Sequence, residues 1–197
     1  MFVHVNDTTG KTAIQYLPIG KTAKDAEVLP QVSHPKSVMV WLAICSKGVI
    51  GPYFVVPGVK INAKYYQKKI LARMVKDIDK IKKEHADWNY VYHQDSAPAH
   101  TAKTTLAWLR KNKVKYIRPD QWLPNSPDAA PLDYLIWHWI KQQLNKHTIS
   151  TIRGLKTAIS GICKNIPQSL ILRALKAWPK RLRKIYYAKG GHIEHEL

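Results

Sequence analysis

Across residues 62–81, Tyr66, Ile70, Leu71, Met74, Val75, Ile78 and Ile81 recur at three- and four-residue steps with lysines opposite them. That is the period of an amphipathic helix. Before it, residues 37–44 form an apolar run rich in residues suited to a pleated surface, Lys47-Gly48 offers a turn, and residues 51–56 follow. This pattern predicts a β-hairpin. Residues 11–17 offer another strand, joined to the hairpin by a polar stretch through Pro30 and Pro35 that the pattern leaves unassigned. Residues 88–94 read as a short strand, 98–111 as a helix and 114–117 as a strand. That succession predicts an α/β fold with at least one parallel pair.

Beyond a proline-punctuated loop, Leu132, Leu135, Ile136, Trp139, Ile140 and Leu144 mark a further helix. Leu155, Ala158, Ile159, Ile162, Cys163 and Ile166 give another stripe, and residues 170–178 continue in the same manner. Pro179 is expected to break that helix and to open a new one over 179–188, which Gly190-Gly191 ends. The C-terminal third is therefore read as helical. The chain divides into one domain over 1–189 and a tail over 190–197.

The 197 residues are 45% apolar, enough to fill one core. Lys plus Arg number 32 against 13 Asp plus Glu, a formal +19, and a field of that sign attracts polyanions. DNA is the expected partner. The excess is concentrated in residues 151–197, which hold ten Lys or Arg against Glu194 and Glu196. Within it Lys176, Lys180, Arg181, Arg183 and Lys184 are candidates for phosphate contact, with a solvated face as the alternative. Cys45 and Cys163 are too few and too far apart for a disulfide framework or a cysteine zinc site, and both are expected in the core of a protein in a reducing, intracellular compartment. No stretch reaches the roughly 18 apolar residues of a membrane-spanning helix, so no membrane partner is expected. The chain opens in a strand-like run without signal-peptide features, as a domain cut within an element would.

Asp95 and Asp133, with 37 residues between them, carry the chemistry. Asp95 sits where a strand gives way to the Ser96-Ala97-Pro98 turn, the end of a sheet where ligands gather in α/β folds. Asp133 follows Pro131 in the first turn of a helix. Two carboxylates brought to one cleft suit Mg²⁺, which takes oxygen ligands and is normally held by one or two carboxylates. Simpler roles compete. Asp95 could cap the helix after Pro98, and Asp133 could serve the helix dipole. Asp128, near the loop apex, competes as a ligand and is the better candidate for a cap. His93 and Asp95 fall on one strand face, which admits a zinc site completed by His100. Trp137 and Trp139 suit the core better than base stacking.

The segments Gln94-Asp95-Ser96-Ala97-Pro98-Ala99-His100-Thr101-Ala102 and Asn125-Ser126-Pro127-Asp128-Ala129-Ala130-Pro131-Leu132-Asp133-Tyr134 resemble the second and third acidic blocks of mariner-type DNA transposases. Pro35-Lys36-Ser37-Val38-Met39-Val40-Trp41 and the run from Trp178-Pro179-Lys180-Arg181-Leu182 to Ala188-Lys189-Gly190-Gly191-His192-Ile193 match in the family's order. The resemblance implies a ribonuclease H-like fold, a mixed sheet flanked by helices. It also implies cut-and-paste chemistry with two Mg²⁺ (or Mn²⁺) ions about 3.5 to 4 Å apart. Asp95 and Asp133 match metal ligands, and Asp128 matches a structural loop acid. The family's first catalytic Asp precedes a Phe that resembles Phe2, so its position falls upstream of Met1. Asp7 and Asp25 lie too far downstream to replace it, and the helix-turn-helix region that reads transposon ends has no counterpart here.

The leading expectation is thus a transposase-derived DNA-binding domain of the cleavage and strand-transfer class, inactive as written for want of one carboxylate. It would be nuclear through its partner, a possible homodimer, and without a small-molecule substrate. One alternative is a non-catalytic nucleic acid-binding or protein-interaction module that keeps the fold for its basic surface. Another is a metal-dependent phosphodiesterase using His93, Asp95 and Asp133. A missing first strand would also leave a sheet edge uncovered, with poor solubility or self-association as the consequence.

Overall fold

The computed structural model describes residues 37–122, 126–191 and 193, together with the backbone of 2–4. The expected strand over 11–17 lies outside them. Three antiparallel strands lie in the order β1 (Phe2–His4), β2 (Ser37–Cys45) and β3 (Gly48–Phe54). The hairpin forms as its pattern predicts, although Ser46-Lys47 make the turn and Gly48, at φ 129°, already begins β3. The registers are Phe2↔Met39 for the first pair and Cys45↔Gly48 at the hairpin end of the second, with an irregularity between Trp41 and Ala43.

Successive side chains of a strand point to opposite faces, and β2 uses both. Val38, Val40 and Leu42 pack into one core with Ile136, Ile140, Leu155 and Ile171. Trp41 and Ala43 join a second core around Ile50, Tyr53, Leu71, Met74 and Leu109. Helices accordingly cover both faces. On one side lie α1 (Ala63–Tyr65), a π-helical stretch Tyr66–Leu71, α2 (Ala72–Glu84), α3 (Pro98–Thr101) and α4 (Lys103–Lys111). On the other lie a second π-helical stretch, Leu132–Ile136, and α5 (Trp137–Leu144), α6 (Ile152–Lys164) and α7 (Gln168–Tyr187).

The strand–helix–strand unit is present in reduced form. Residues 88–94 and 114–117 meet in parallel at Tyr92↔Tyr116 only, where Tyr92 N donates to Lys115 O (2.7 Å) and Ile117 N to Tyr92 O (2.9 Å). The intervening helix is split at Ala102, whose ψ of 135° interrupts it. Beyond Val40, β2 pairs with β3 alone among the described residues. Its other edge faces residues 90–95 across a cleft of about 620 Å³ lined by 40–45 on one side and 90–95 on the other. Both segments line it without a break.

The sequence expectation of a break at Pro179 is corrected. Pro179 lies inside α7, which runs unbroken from Gln168 to Tyr187. Proline removes the N–H that would bond the Leu175 carbonyl, but both flanks are docked on one loop. Trp178 Nε1 donates to Ala129 O (2.8 Å), and Arg181 Nη1 donates to Asp128 O (3.1 Å). Helix α7 does end at the glycines, where Gly190 at φ 86° donates to Ile185 O. Cys163 is buried as expected, whereas Cys45, at the hairpin end, is only half-buried.

Candidate active site

Asp95 lies just past the Tyr92 bridge, and Asp133 is the second residue of the Leu132–Ile136 stretch, begun by Pro131. Both line the cleft beside β2. Asp95 Oδ1 accepts the backbone N–H of Ala97 (3.0 Å) and bonds His100 Nδ1 (2.6 Å), while the side chain stays 70% exposed. The His100 hydrogen bond above all, assisted by the Ala97 amide, holds its pKa at about 2. Asp133 shifts the other way. Partial desolvation raises its pKa although the residue remains exposed, and the charge on Asp95 raises it further. The charge on Asp95 thus disfavours ionisation of Asp133 on the same cleft, an arrangement that a cation relieves.

A layer of polar residues holds Asp95 in place. Tyr66 donates its hydroxyl to Gln94 Oε1 (2.9 Å) and shares a 2.8 Å hydrogen bond with the Tyr92 hydroxyl. Gln94 Nε2 donates to the carbonyl of His100 (3.2 Å), and the His100 ring lies 4.2 Å from that of Tyr66. Tyr66 opens one π-helical stretch and Asp133 sits inside the other. Such distortions are often found at functional sites. Neither Tyr66 nor Gln94 stands out in the sequence. Tyr66 reads as one member of a core stripe, and its polar role depends on a partner 28 residues away.

His93 does not join Asp95 and His100. Its ring packs 3.7 Å from Trp122, its Nε2 is buried without a hydrogen-bond partner, and burial lowers its pKa to about 4. Among the described residues no three His, Cys, Asp or Glu are gathered to hold a metal, so the His93–Asp95–His100 zinc site is not assembled. Among the described residues, Asp95 and Asp133 are the acids lining the cleft that could hold a hard cation. Two carboxylates suffice when water and phosphate complete the shell, and Asp95 Oδ2 accepts no hydrogen bond among the described residues.

Asp128 caps no helix. It is 5% exposed and accepts the backbone N–H of Ile193 (2.9 Å), because the chain after α7 folds back over it. Ile193, read as tail, is fully buried. Of the basic candidates, Lys176, Lys180 and Arg183 are exposed, whereas Arg181 stacks its guanidinium 3.8 Å from the Tyr134 ring and bonds the Asp128 carbonyl. Lys184 is half-buried on the same helix. Trp137 and Trp139 pack against the core beside α6.

No family model matches the chain. The Transposable element Tc1 transposase of Caenorhabditis elegans is 23% identical over 177 residues, covering 88% of this chain and 60% of the relative's length. A Mos1 transposase paired-end complex with left transposon end superposes with a TM-score of 0.80 at 19% identity, over 98% of this chain and 55% of that one. The catalytic domain of Mos1 mariner transposase gives 0.70 at 21% identity, over 81% and 77%. That catalytic domain has also been solved with Mn and with Mg. The chain therefore spans little more than half of the full-length proteins it matches. It has the ribonuclease H-like fold of the Mos1 mariner transposase catalytic domain, and its sequence is similar to that of the Tc1 transposase.

Proposed function

We propose that this chain is a transposase-derived catalytic domain of the DNA cleavage and strand-transfer class, with Asp95 and Asp133 as ligands to Mg²⁺ or Mn²⁺. The convergence of these two acids on one cleft of a ribonuclease H-like fold carries the reading. A divalent cation bound there would activate an attacking water or DNA 3′-hydroxyl and stabilise the leaving oxygen. His100 and the Ala97 amide fix Asp95 in its ionised form, and the Tyr66–Gln94 layer keeps His100 in place. Asp133 lines the same cleft, and both acids stay open to solvent, where a cation and a DNA phosphate can reach them. The +19 charge draws DNA to the site, and nuclear residence follows from that partner. A homodimer would present two such sites to two DNA ends.

The polypeptide of this sequence does not nick DNA alone, because only two carboxylates face the cleft among the described residues and a two-cation site needs a shared third. A strand continued backwards from Phe2 in the register of β1 would run antiparallel to residues 40–45, into the cleft. The test uses supercoiled plasmid with Mn²⁺. The chain as it stands is expected to leave the plasmid intact, and a version extended by a strand bearing one Asp is expected to nick it. Asp95→Asn or Asp133→Asn in the extended version should then abolish nicking. Nicking that survives both substitutions would refute the assignment of the acids, and nicking by the unextended chain would refute its inactivity.

A further inference from the structure

The outer face of α7 bears a regular series of exposed groups. Arg173, Lys176, Lys180, Arg183 and Tyr187 follow one another at steps of three, four, three and four residues, and all five are exposed. Residues so spaced share one face of a helix, one turn (about 5.4 Å) apart. The series therefore makes a ridge about 21 Å long. Within Gln168–Tyr187 there are six Lys or Arg and no acidic residue, so nothing on the helix itself neutralises the ridge.

The ridge ends in an unusual pair. Tyr186 and Tyr187 are 78% and 79% exposed, with their rings 5.6 Å apart edge to face. They border an open, largely apolar recess with Leu182, Ile185 and Lys189. A solvated charge run accounts for the cations but not for two large aromatic rings held in water at its end. Cations tracking a backbone, followed by aromatic faces, are the combination that binds single-stranded nucleic acid. Phosphates engage the charges and unpaired bases stack on the rings. In a duplex the bases are already stacked on one another, so the tyrosines add nothing there.

We propose that the α7 ridge binds single-stranded DNA, with phosphates along Arg173, Lys176, Lys180 and Arg183 and an unpaired base on Tyr186 or Tyr187. The inference shares with the proposed function only the nature of the partner. It requires neither Asp95 nor Asp133 nor a metal, so its failure would leave the cleft assignment standing, and the reverse holds as well.

The experiment measures binding of the full chain to fluorescein-labelled oligo(dT) and to a duplex of equal length by anisotropy, across a salt series and with chelator present. The triple variant Lys176→Gln, Lys180→Gln, Arg183→Gln should weaken oligo(dT) binding at least tenfold. It should also lower the slope of log affinity against log salt by about 2, at roughly 0.7 for each phosphate the variant ceases to neutralise. A control that removes the same charge from the α2 side, Lys69→Gln, Lys76→Gln, Lys83→Gln, should change affinity by less than threefold. The double variant Tyr186→Ala, Tyr187→Ala should weaken oligo(dT) about tenfold and leave the duplex unchanged, whereas Tyr186→Phe, Tyr187→Phe should retain binding. Equal losses from the two lysine triples would reduce the ridge to general basic charge and overturn the proposal. So would tyrosine variants that affect both DNA forms alike, or neither.

Discussion

Asp128 holds the Ile193 amide with a carboxylate that is almost fully withdrawn from water, while its own carbonyl takes Arg181. A buried group deprived of its partner costs about 1–3 kcal/mol. Asp128→Ala is expected to destabilise the protein by that order, and Asp128→Asn, which keeps an acceptor oxygen, by less, as read from urea unfolding. Burial also governs the alkaline limit. The Tyr92 hydroxyl is raised from 10.0 to about 12 and the Cys163 thiol from 9.0 to about 12, both by burial. The unfolded chain therefore releases these protons first as pH climbs, and stability present below about pH 9 is lost progressively up to about pH 12. Urea midpoints at pH 7, 9 and 11 should fall, and Cys163→Ala should flatten the first part of the decline. The placement of Asp95 and Asp133 was legible in the sequence because each sits in a local frame that announces a strand end or a helix start. The polar layer of Tyr66 and Gln94 was not, and Asp128, expected to be structural through the resemblance, had no foreseeable partner, since each depends on a residue far along the chain or on a fold-back that no local pattern encodes.

Among the elements, the amphipathic helices follow their stripes closely because one apolar face per helix is all the sheet requires of them. The exception is Pro179, where tertiary docking overrides a local rule. The Leu175 carbonyl lacks its helical donor there, and proline in a helix interior costs about 3 kcal/mol. Pro179→Ala is accordingly expected to raise stability by about 1–3 kcal/mol without altering the fold, measured by urea unfolding and circular dichroism. Helix α6 illustrates the rule obeyed. Thr151 Oγ1 accepts the Gly154 N–H at 3.0 Å, and Thr151→Ala should cost about 1 kcal/mol. The π-helical stretches were invisible in the sequence because their apolar spacing differs from that of an α-helix by one residue over a single turn.

For the whole molecule, two quantities oppose each other. The edge of β2 along residues 41–45 is open to pairing among the described residues, and such edges recruit other strands. A formal charge of +19 keeps molecules apart. Salt screens the second and not the first. Self-association should therefore increase as NaCl is raised from low to high concentration, seen by light scattering as a rising mass, and a monomer at every salt concentration would count against an available edge. The three-layer architecture was legible because β2 declares both of its faces. A cleft holding the two acids was foreseen from the strand end and the helix start, but its course along β2 was not, since hydrophobic patterning reports which faces are buried and is silent about which strand edges meet.

The loop at Asp128 and Ala129 is gripped by Trp178, Arg181 and Ile193, and four residues after Ala129 the same loop delivers Asp133. Helix α7 and the second acid are thus mounted on one bracket. A pull on the helix from a bound polymer would be transmitted through Trp178 and Arg181 to the carboxylate, so that engagement at the rim and alignment at the centre become one mechanical event.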